Sequence, residues 1–258
     1  MTTEQSTQLS KQFQSALSPL APPDSLPAFR SLLLSLLSPL NSLLRISVLI
    51  GIGAVLFAAV LGVLLGLVAG FFGGRVDSIV MRIADVLVSF PTILVALLIS
   101  GIAKAQLDAD TVLNWAPAIL VFAIAVNEWV QYARTVRAST MVEVSRDYVR
   151  AAKVIGLPSR RIMIRHILPN VISAVMVIAT INLAGAILTE ATLSFLGAGM
   201  PPTYPSLGTL IRIGNQFLFS GLWWIAVMPA SVLVILVLAV NVIGDYLRDR
   251  FNPKLMAR

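Results

Sequence analysis

The residues most able to do chemistry in this chain are a few polar side chains that interrupt its long apolar stretches. Ionisable and amide groups are costly inside a lipid bilayer, so those that occur there often line the path of a solute. The asparagines could equally be ordinary hydrogen-bonding residues between helices, and the second glutamate could brace the turn at Gly197. We predict that five side chains contribute to a translocation path: Asn127, Glu128, Asn182, Glu190 and Ser194.

Other kinds of chemistry are excluded by residue types and motifs that the sequence lacks. It has no cysteine and a single histidine, which excludes a disulfide, a thiolate centre and a multi-histidine metal site. No motif brings together a nucleophile, a base and an orienting residue. No Gly-x-x-x-x-Gly-Lys-Ser/Thr loop is present to hold nucleotide phosphates. We therefore predict no catalytic residues, no metal ligands and no cofactor bound by this chain, and we interpret His166 as structural.

The composition is that of an all-α integral membrane protein. Hydrophobic residues make up 57% of the chain, charged residues make up 12%, and the mean hydropathy is +0.89, whereas soluble domains carry about 25% charged residues. The formal net charge is +7. Because the basic residues cluster at the ends of apolar stretches without interleaved aromatic residues, they indicate anchoring to membrane lipid and no nucleic-acid partner.

Five stretches are long and apolar enough to cross a hydrocarbon core about 30 Å thick. Basic residues place the intervening loop 133–170 and the tail 254–258 in the cytoplasm. The segment 1–44 is atypical, and its part from Ser31 to Leu44 predicts an interfacial or partly inserted helix. This leaves five spans with the N-terminus outside, or six spans if the segment joins the bundle. The five spans cover residues 46–72, 78–100, 115–132, 171–195 and 222–243.

Two local patterns predict how the first two spans pack. Gly62, Gly66 and Gly70 recur every four residues in the first span, and such a stripe allows the backbones of two helices to approach closely. In the second span, Arg82 and Asp85 are three residues apart. That spacing predicts an ion pair on one helix face.

The cytoplasmic loop is basic and amphipathic. Eight of the 19 Lys and Arg residues fall within it, and the pattern predicts a short helix, a sharp turn and a second helix that runs through Ile162 to Leu168. Gly156 is expected to end the first helix, Pro158 to prevent its continuation, and Ser159 to cap the second. An apolar stripe on the first helix is expected from Tyr148, Ala151, Ala152 and Ile155.

The sequence of this loop resembles the EAA loop of the membrane subunits of bacterial ABC importers. The resemblance rests on Ala151-Ala152-x-x-x-Gly156 followed by Ile167-Leu168-Pro169. Further runs resemble one branch, the C-type permeases for dipeptides, oligopeptides and nickel. Together these runs lie within residues 45–253: Gly73 to Ser78, Asp85 to Pro91, Tyr132 to Arg137, Arg165 to Asn170, Glu190 to Gly199 and Asn241 to Asp249.

The resemblance implies a type I ABC importer permease bundle of five or six transmembrane helices in the inner membrane of a bacterium, with a cytoplasmic coupling helix at 147–157. It implies four partners: a second homologous permease, two cytoplasmic ABC ATPase subunits, and an extracytoplasmic substrate-binding protein. ATP and magnesium would be bound by the ATPase subunits. The contacts expected with those subunits are Tyr148, Ala151, Ala152, Gly156 and Leu157.

The resemblance also implies di- or oligopeptides as the transported species. Two other hypotheses stay open at this point. The same architecture could import nickel or a metal chelate, or the chain could be a membrane scaffold without a transport role. An enzyme is disfavoured because no catalytic constellation is present.

Overall fold

The computed structural model describes residues 26–201, 204 and 206–251, and it describes side chains at 43–108, 110–201, 204 and 206–246. Every regular element in these ranges is helical. A π-turn (Met163–Ile167) and a 3₁₀ turn (Leu218–Ser220) accompany nine α-helices within the described ranges. These are α1 (Leu26–Phe72), α2 (Gly74–Val88), α3 (Thr92–Gln106), α4 (Ala109–Val144), α5 (Asp147–Val154), α6 (Ser159–Ile162), α7 (Leu168–Phe195), α8 (Leu207–Asn215) and α9 (Trp224–Phe251).

Four helical segments in the described part of the chain are long and apolar enough to cross a membrane. Helices α2 and α3 provide a fifth crossing if they are taken together as one span. The prediction of an all-α membrane bundle is therefore confirmed. The four continuous segments are Leu43–Phe72, Asp110–Val144, Ser159–Phe195 and Trp224–Tyr246.

The predicted span at 78–100 is a bent pair of helices. Helix α2 ends at Val88, helix α3 begins at Thr92, and their axes differ by 89°. Proline lacks a backbone N–H and restricts its own φ, and Pro91 adopts φ −57° and ψ 129°, outside the helical region. This proline therefore marks the break within the predicted span, and the second half runs nearly perpendicular to the first.

The chain divides into two compact units, Met1–Arg45 and Ile46–Arg258. In the first unit the described residues belong to α1, which includes the segment from Ser31 to Leu44. The remaining residues of 1–44 and the tail 254–258 lie outside the described residues. The side of the membrane on which the N-terminus lies, and an interfacial position of this segment, stay predictions.

The glycine stripe of α1 packs directly on α4. A Cβ atom added at Gly62 would lie 2.5 Å from the carbonyl oxygen of Trp129, and one added at Gly66 would lie 2.6 Å from the carbonyl oxygen of Ala133. At Gly70 the corresponding distance to the carbonyl oxygen of Arg137 is 2.7 Å. Since real Cβ atoms do not approach oxygen so closely, only glycine fits at these positions, as the stripe predicts.

Two apolar clusters form the core of the second unit. One, the cytoplasmic core cluster, includes Val149 of α5, Ile162 of α6 and Ile167 of the π-turn, so it holds the cytoplasmic loop against the spans. The other joins α1, α3, α4 and α7, and it includes Met200 from the turn that follows α7. The cytoplasmic loop is therefore packed on the bundle and is not a solvated excursion from it.

Ion pairs connect α2 to α4 at two levels. Asp77 accepts from both Nε and Nη2 of Arg137, the latter bond measuring 2.6 Å. Asp85 accepts from Nη2 of Arg134 at 2.7 Å. The prediction that Asp85 pairs with Arg82 is therefore wrong, because α4 lies beside α2 and supplies an arginine that the local spacing does not reveal.

Candidate functional site

Helix α5 in the cytoplasmic loop ends in a glycine turn, as the sequence predicts. Gly156 has a φ of 81°, a left-handed conformation that glycine adopts without steric cost. Its N–H donates to the carbonyl of Lys153 at 3.0 Å, and the Leu157 N–H donates to the carbonyl of Ala152 at 3.1 Å. This pair of bonds is a Schellman motif, which satisfies the free carbonyls at a helix C-terminus.

The next helix, α6, begins without a side-chain cap. Pro158 occupies its N-cap with φ −64° and ψ 140°, and Ser159 is its first helical residue. The prediction that Ser159 caps this helix is wrong, because Pro158 already holds the extended conformation that an N-cap requires.

Helix α5 has a buried face and an exposed apolar face. Val149 and Ala152 are buried in the cytoplasmic core cluster. Val154 and Ile155 are 88% and 77% exposed, respectively, and the neighbouring Ala151 is also exposed. Two large aliphatic side chains next to each other on an aqueous loop indicate a surface that a partner covers.

The predicted apolar stripe is thus wrong in part. Helix α5 ends at Val154, and Ile155 occupies its C-cap, where the side chain points away from the core face that Val149 and Ala152 share. Val154 was not among the contacts predicted from the sequence. The signal that could have found it is a β-branched apolar side chain placed between Lys153 and the glycine turn.

Tyr148 lies between α5 and the two spans that flank the loop. Its hydroxyl donates to Oε2 of Glu143 at the end of α4 and lies 3.4 Å from the carbonyl oxygen of His166. Asn170 of α7 donates through Nδ2 to the Tyr148 hydroxyl and to the His166 carbonyl, each at 3.0 Å. Burial and the bond to Glu143 raise the pKa of Tyr148, so the phenol keeps its proton at neutral pH.

The other predicted contacts on α5 have different surroundings. Gly156 is exposed, whereas Leu157 is half-buried and packs against the cytoplasmic core cluster. Lys153 places its ammonium 5.0 Å from the ring centroid of Phe71 at the end of α1, a cation–π geometry. Of the predicted contacts, Ala151 and Gly156 therefore face outward, while Ala152 belongs to the core.

Glu190 and Ser194 brace the turn that follows α7. The Ser194 hydroxyl donates to Oε1 of Glu190 at 2.7 Å and accepts from the Met200 N–H at 3.1 Å. Both side chains are fully buried. A Cβ atom added at Gly199 would lie 2.1 Å from the Ser194 hydroxyl oxygen. This geometry agrees with the alternative interpretation of Glu190, in which its side chain braces a turn and does not line the path.

Replacing Ser194 with alanine is expected to lower the apparent free energy of unfolding by about 1–2 kcal/mol, because two buried polar groups lose a partner. Thermal unfolding in detergent measures this change. Thr192→Ala is the matched control, since within the described part of the chain the Thr192 hydroxyl bonds only to the Leu188 carbonyl of its own helix. Equal losses in the two variants would contradict a bracing role for Ser194.

The other three path candidates lie in α4 and α7. Asn127 donates through Nδ2 to the Thr92 hydroxyl at 2.6 Å and so joins α4 to the start of α3. Glu128 is half-buried. No hydrogen bond among the described residues connects this group with Glu190 and Ser194.

Five buried polar atoms in α4 and α7 have no hydrogen-bond partner among the described residues: Oδ1 of Asn127, the hydroxyl of Tyr132, Oγ1 of Thr140, Nδ2 of Asn182 and Oε2 of Glu190. Such atoms are costly where water is absent. Tyr132 was not among the predicted path residues, because an aromatic ring at the end of a span is typical of interfacial anchoring. In the described part of the chain, no group of three or more His, Asp or Glu residues is arranged to hold a metal ion.

Solved structures of ABC transporters share this fold. An inward-facing structure of the MetNI methionine ABC transporter superposes with a TM-score of 0.64 and 18% identity, covering 83% of this chain and 96% of that one. The crystal structure of an amino acid ABC transporter with histidines gives a TM-score of 0.55 and 18% identity, covering 84% of this chain and 97% of that one.

Curated relatives are similar over most of the sequence. The dipeptide transport system permease DppC of Haemophilus influenzae is 38% identical over 211 residues, which is 82% of this chain and 68% of the relative. The oligopeptide transport system permease OppC of Bacillus subtilis is 35% identical over 211 residues, which is 82% of this chain and 66% of the relative. The di/tripeptide permease DppC of Pseudomonas aeruginosa is 35% identical over 220 residues, which is 85% of this chain and 69% of the relative.

The family model agrees with these relatives and with the fold. Residues 62–257 match the model described as a binding-protein-dependent transport system inner membrane component. That family serves ATP-driven transport through separate ATPase subunits, so its members are transport permeases and not enzymes. This chain therefore belongs to the family of inner membrane permease components of binding-protein-dependent ABC transporters.

Proposed function

We propose that this chain forms half of the translocation path of an ATP-driven importer for di- or oligopeptides. The relatives that support a peptide substrate are named for dipeptide, di/tripeptide and oligopeptide transport, and none of these names refers to nickel. The structural observation that supports the proposal most is the exposed apolar end of α5, where Val154 and Ile155 are 88% and 77% exposed, respectively.

The proposed ATPase-docking face consists of Ala151, Val154 and Ile155. Its three side chains project outward from the buried positions Val149 and Ala152, so a partner can cover them without disturbing the core. Burying a large aliphatic side chain contributes about 1.5–3 kcal/mol. Gly156 and the turn at Leu157 end the helix, so the partner can approach the full length of this face.

The complete importer would contain a second homologous permease, two cytoplasmic ABC ATPase subunits and an extracytoplasmic binding protein. ATP and magnesium would be bound by the ATPase subunits. Asn127, Glu128 and Asn182 would line the inside of the path. Glu190 and Ser194 would hold the turn after α7 at the extracytoplasmic end of the path. The unpartnered atoms of Asn127 and Asn182 support a place on the path, because a passing solute or a second subunit can satisfy them. The bond between Ser194 and Glu190 and the bond from the Met200 N–H to Ser194 support the role in the turn.

The docking face can be tested by charge substitution. Val154→Asp and Ile155→Asp are each expected to reduce the retention of ATPase subunits at least tenfold when the complex is purified through this chain. A carboxylate cannot enter an apolar contact without a large desolvation cost. The measurement is the ATPase-to-permease ratio after purification of the co-expressed complex, together with peptide uptake into proteoliposomes.

Val142→Asp serves as the matched control. Val142 is equally apolar, is exposed near the end of α4, and lies outside the docking face, so the charge should leave retention unchanged. Full retention of the ATPases by both α5 variants would refute the docking assignment. Purified complexes that retain ATPases but do not take up peptides would refute the proposed substrate.

A further inference from the structure

The Tyr148 hydroxyl is the meeting point of three segments. It donates to Glu143 at the end of α4, accepts from Nδ2 of Asn170 in α7 at 3.0 Å, and lies 3.4 Å from the His166 carbonyl oxygen. Tyr148 itself lies in the first turn of α5. One side chain thus connects the short cytoplasmic helix to both spans between which the loop is inserted.

The π-turn (Met163–Ile167) places the His166 carbonyl beside this hydroxyl. Within Met163–Ile167 the backbone widens, and the Leu168 N–H donates to the Met163 carbonyl five residues earlier. Pro169 follows and has no N–H for the carbonyl of Arg165 four residues before it. In this widened turn the His166 carbonyl accepts from Asn170 Nδ2 at 3.0 Å. Turns of this kind are frequent at functional sites.

The network is separate from the docking face. Ala151, Val154 and Ile155 point outward, whereas the partners of the Tyr148 hydroxyl all belong to this chain's own α4, α7 and π-turn. The contact with the core is made one residue later by Val149, which is fully buried. Tyr148 is therefore placed to hold α5 in a fixed orientation relative to α4 and α7.

We propose that Tyr148 is a positioning residue that passes the movement of α5 to α4 and α7 together, through Glu143 and Asn170. This inference rests on the proposed function, since it requires an ATPase that moves α5. A rigid connection at this point lets a displacement of the short helix act on two spans at once. Without the Tyr148 hydrogen bonds, α5 stays packed on the core through Val149, but it can rotate without moving α4 and α7.

The test uses the reconstituted complex of both permeases, both ATPases and the binding protein, and it measures peptide molecules transported per ATP hydrolysed. Tyr148→Phe should lower this ratio at least threefold while the purified complex retains its ATPase subunits. Glu143→Leu should lower the ratio similarly. The double variant should show no further loss, because the two residues act through one bond.

Two controls separate positioning from a general loss of structure. Glu143→Gln keeps a side-chain oxygen to accept the phenol proton, so the ratio should stay within twofold of wild type. Tyr246→Phe makes the same substitution at an exposed tyrosine of α9 whose hydroxyl has no side-chain hydrogen bond within the described residues. It should leave the ratio unchanged.

An unchanged ratio in Tyr148→Phe would overturn the inference, and so would loss of the ATPase subunits from that variant, which would make Tyr148 a docking contact. Failure of the proposed function would look different, because the wild-type chain would then retain no ATPases or transport no peptide.

Discussion

Gly66→Ala is expected to lower the apparent free energy of unfolding by about 2–3 kcal/mol, in the upper part of the range for overpacked cores. The added Cβ would lie 2.6 Å from the carbonyl oxygen of Ala133 and 2.8 Å from the Cβ of Val136. Because one of these neighbours is backbone, α1 must move away from α4 along the whole glycine stripe. Thermal unfolding and size-exclusion chromatography in detergent measure the effect.

Gly101→Ala makes the same change in α3, where nothing lies within 4 Å of the added Cβ. It should leave the unfolding transition in place or raise it slightly, since alanine favours helix over glycine by about 1 kcal/mol. If the two variants shifted the transition equally, close packing of α1 on α4 would be contradicted.

Asp77→Asn should cost about 2 kcal/mol, the scale of a hydrogen-bonded charge that loses its partner in a partly shielded site. Asp77 is 18% exposed and Arg137 is 31% exposed, and the carboxylate accepts two bonds from the guanidinium. The substitution leaves Arg137 without a counter-charge between α2 and α4. Chemical unfolding of the purified chain at low and high salt measures the change.

The second ion pair between the same helices provides the comparison. Arg134 and Asp85 are 48% and 67% exposed, and exposed pairs contribute about 0–1 kcal/mol. Asp85→Asn should therefore cost less than 1 kcal/mol, and salt should abolish the loss by screening. A larger loss at Asp85 than at Asp77 would show that shielding does not determine the strength of these pairs.

Features that depend on spacing along one helix were predictable from the sequence. The glycines of α1 are four residues apart and allow one helix to approach another, whatever the partner. The Schellman turn at Gly156 likewise follows from the combination of glycine and Pro158. Both predictions concern a single residue type with a single steric reason.

Features that depend on tertiary neighbours were not predictable. Arg82 has the right spacing to pair with Asp85, but the pair depends on which arginine of α4 lies alongside, and that arginine is Arg134. The outward position of Ile155 depends on the helix ending one residue earlier, a boundary that a four-residue apolar pattern cannot locate.

The role of Tyr148 depends on an even less local feature. The His166 carbonyl near its hydroxyl belongs to a π-turn, and its donor Asn170 lies 22 residues away in the sequence. An apolar stripe indicated that the side chain faces inward or toward a partner. Only the arrangement of α4, α5 and α7 distinguishes between these two functions.

Helix α4 is continuous over 36 residues, a length of about 54 Å, and it therefore extends well beyond the roughly 30 Å hydrocarbon layer. Such a rod acts as a lever with its pivot in the bilayer. A tilt of about 10° around its midpoint displaces each end by roughly 5 Å in opposite directions, given the rise of 1.5 Å per residue. A push on Glu143 at the cytoplasmic end is thereby converted into an opposite displacement near Asp110, across the membrane.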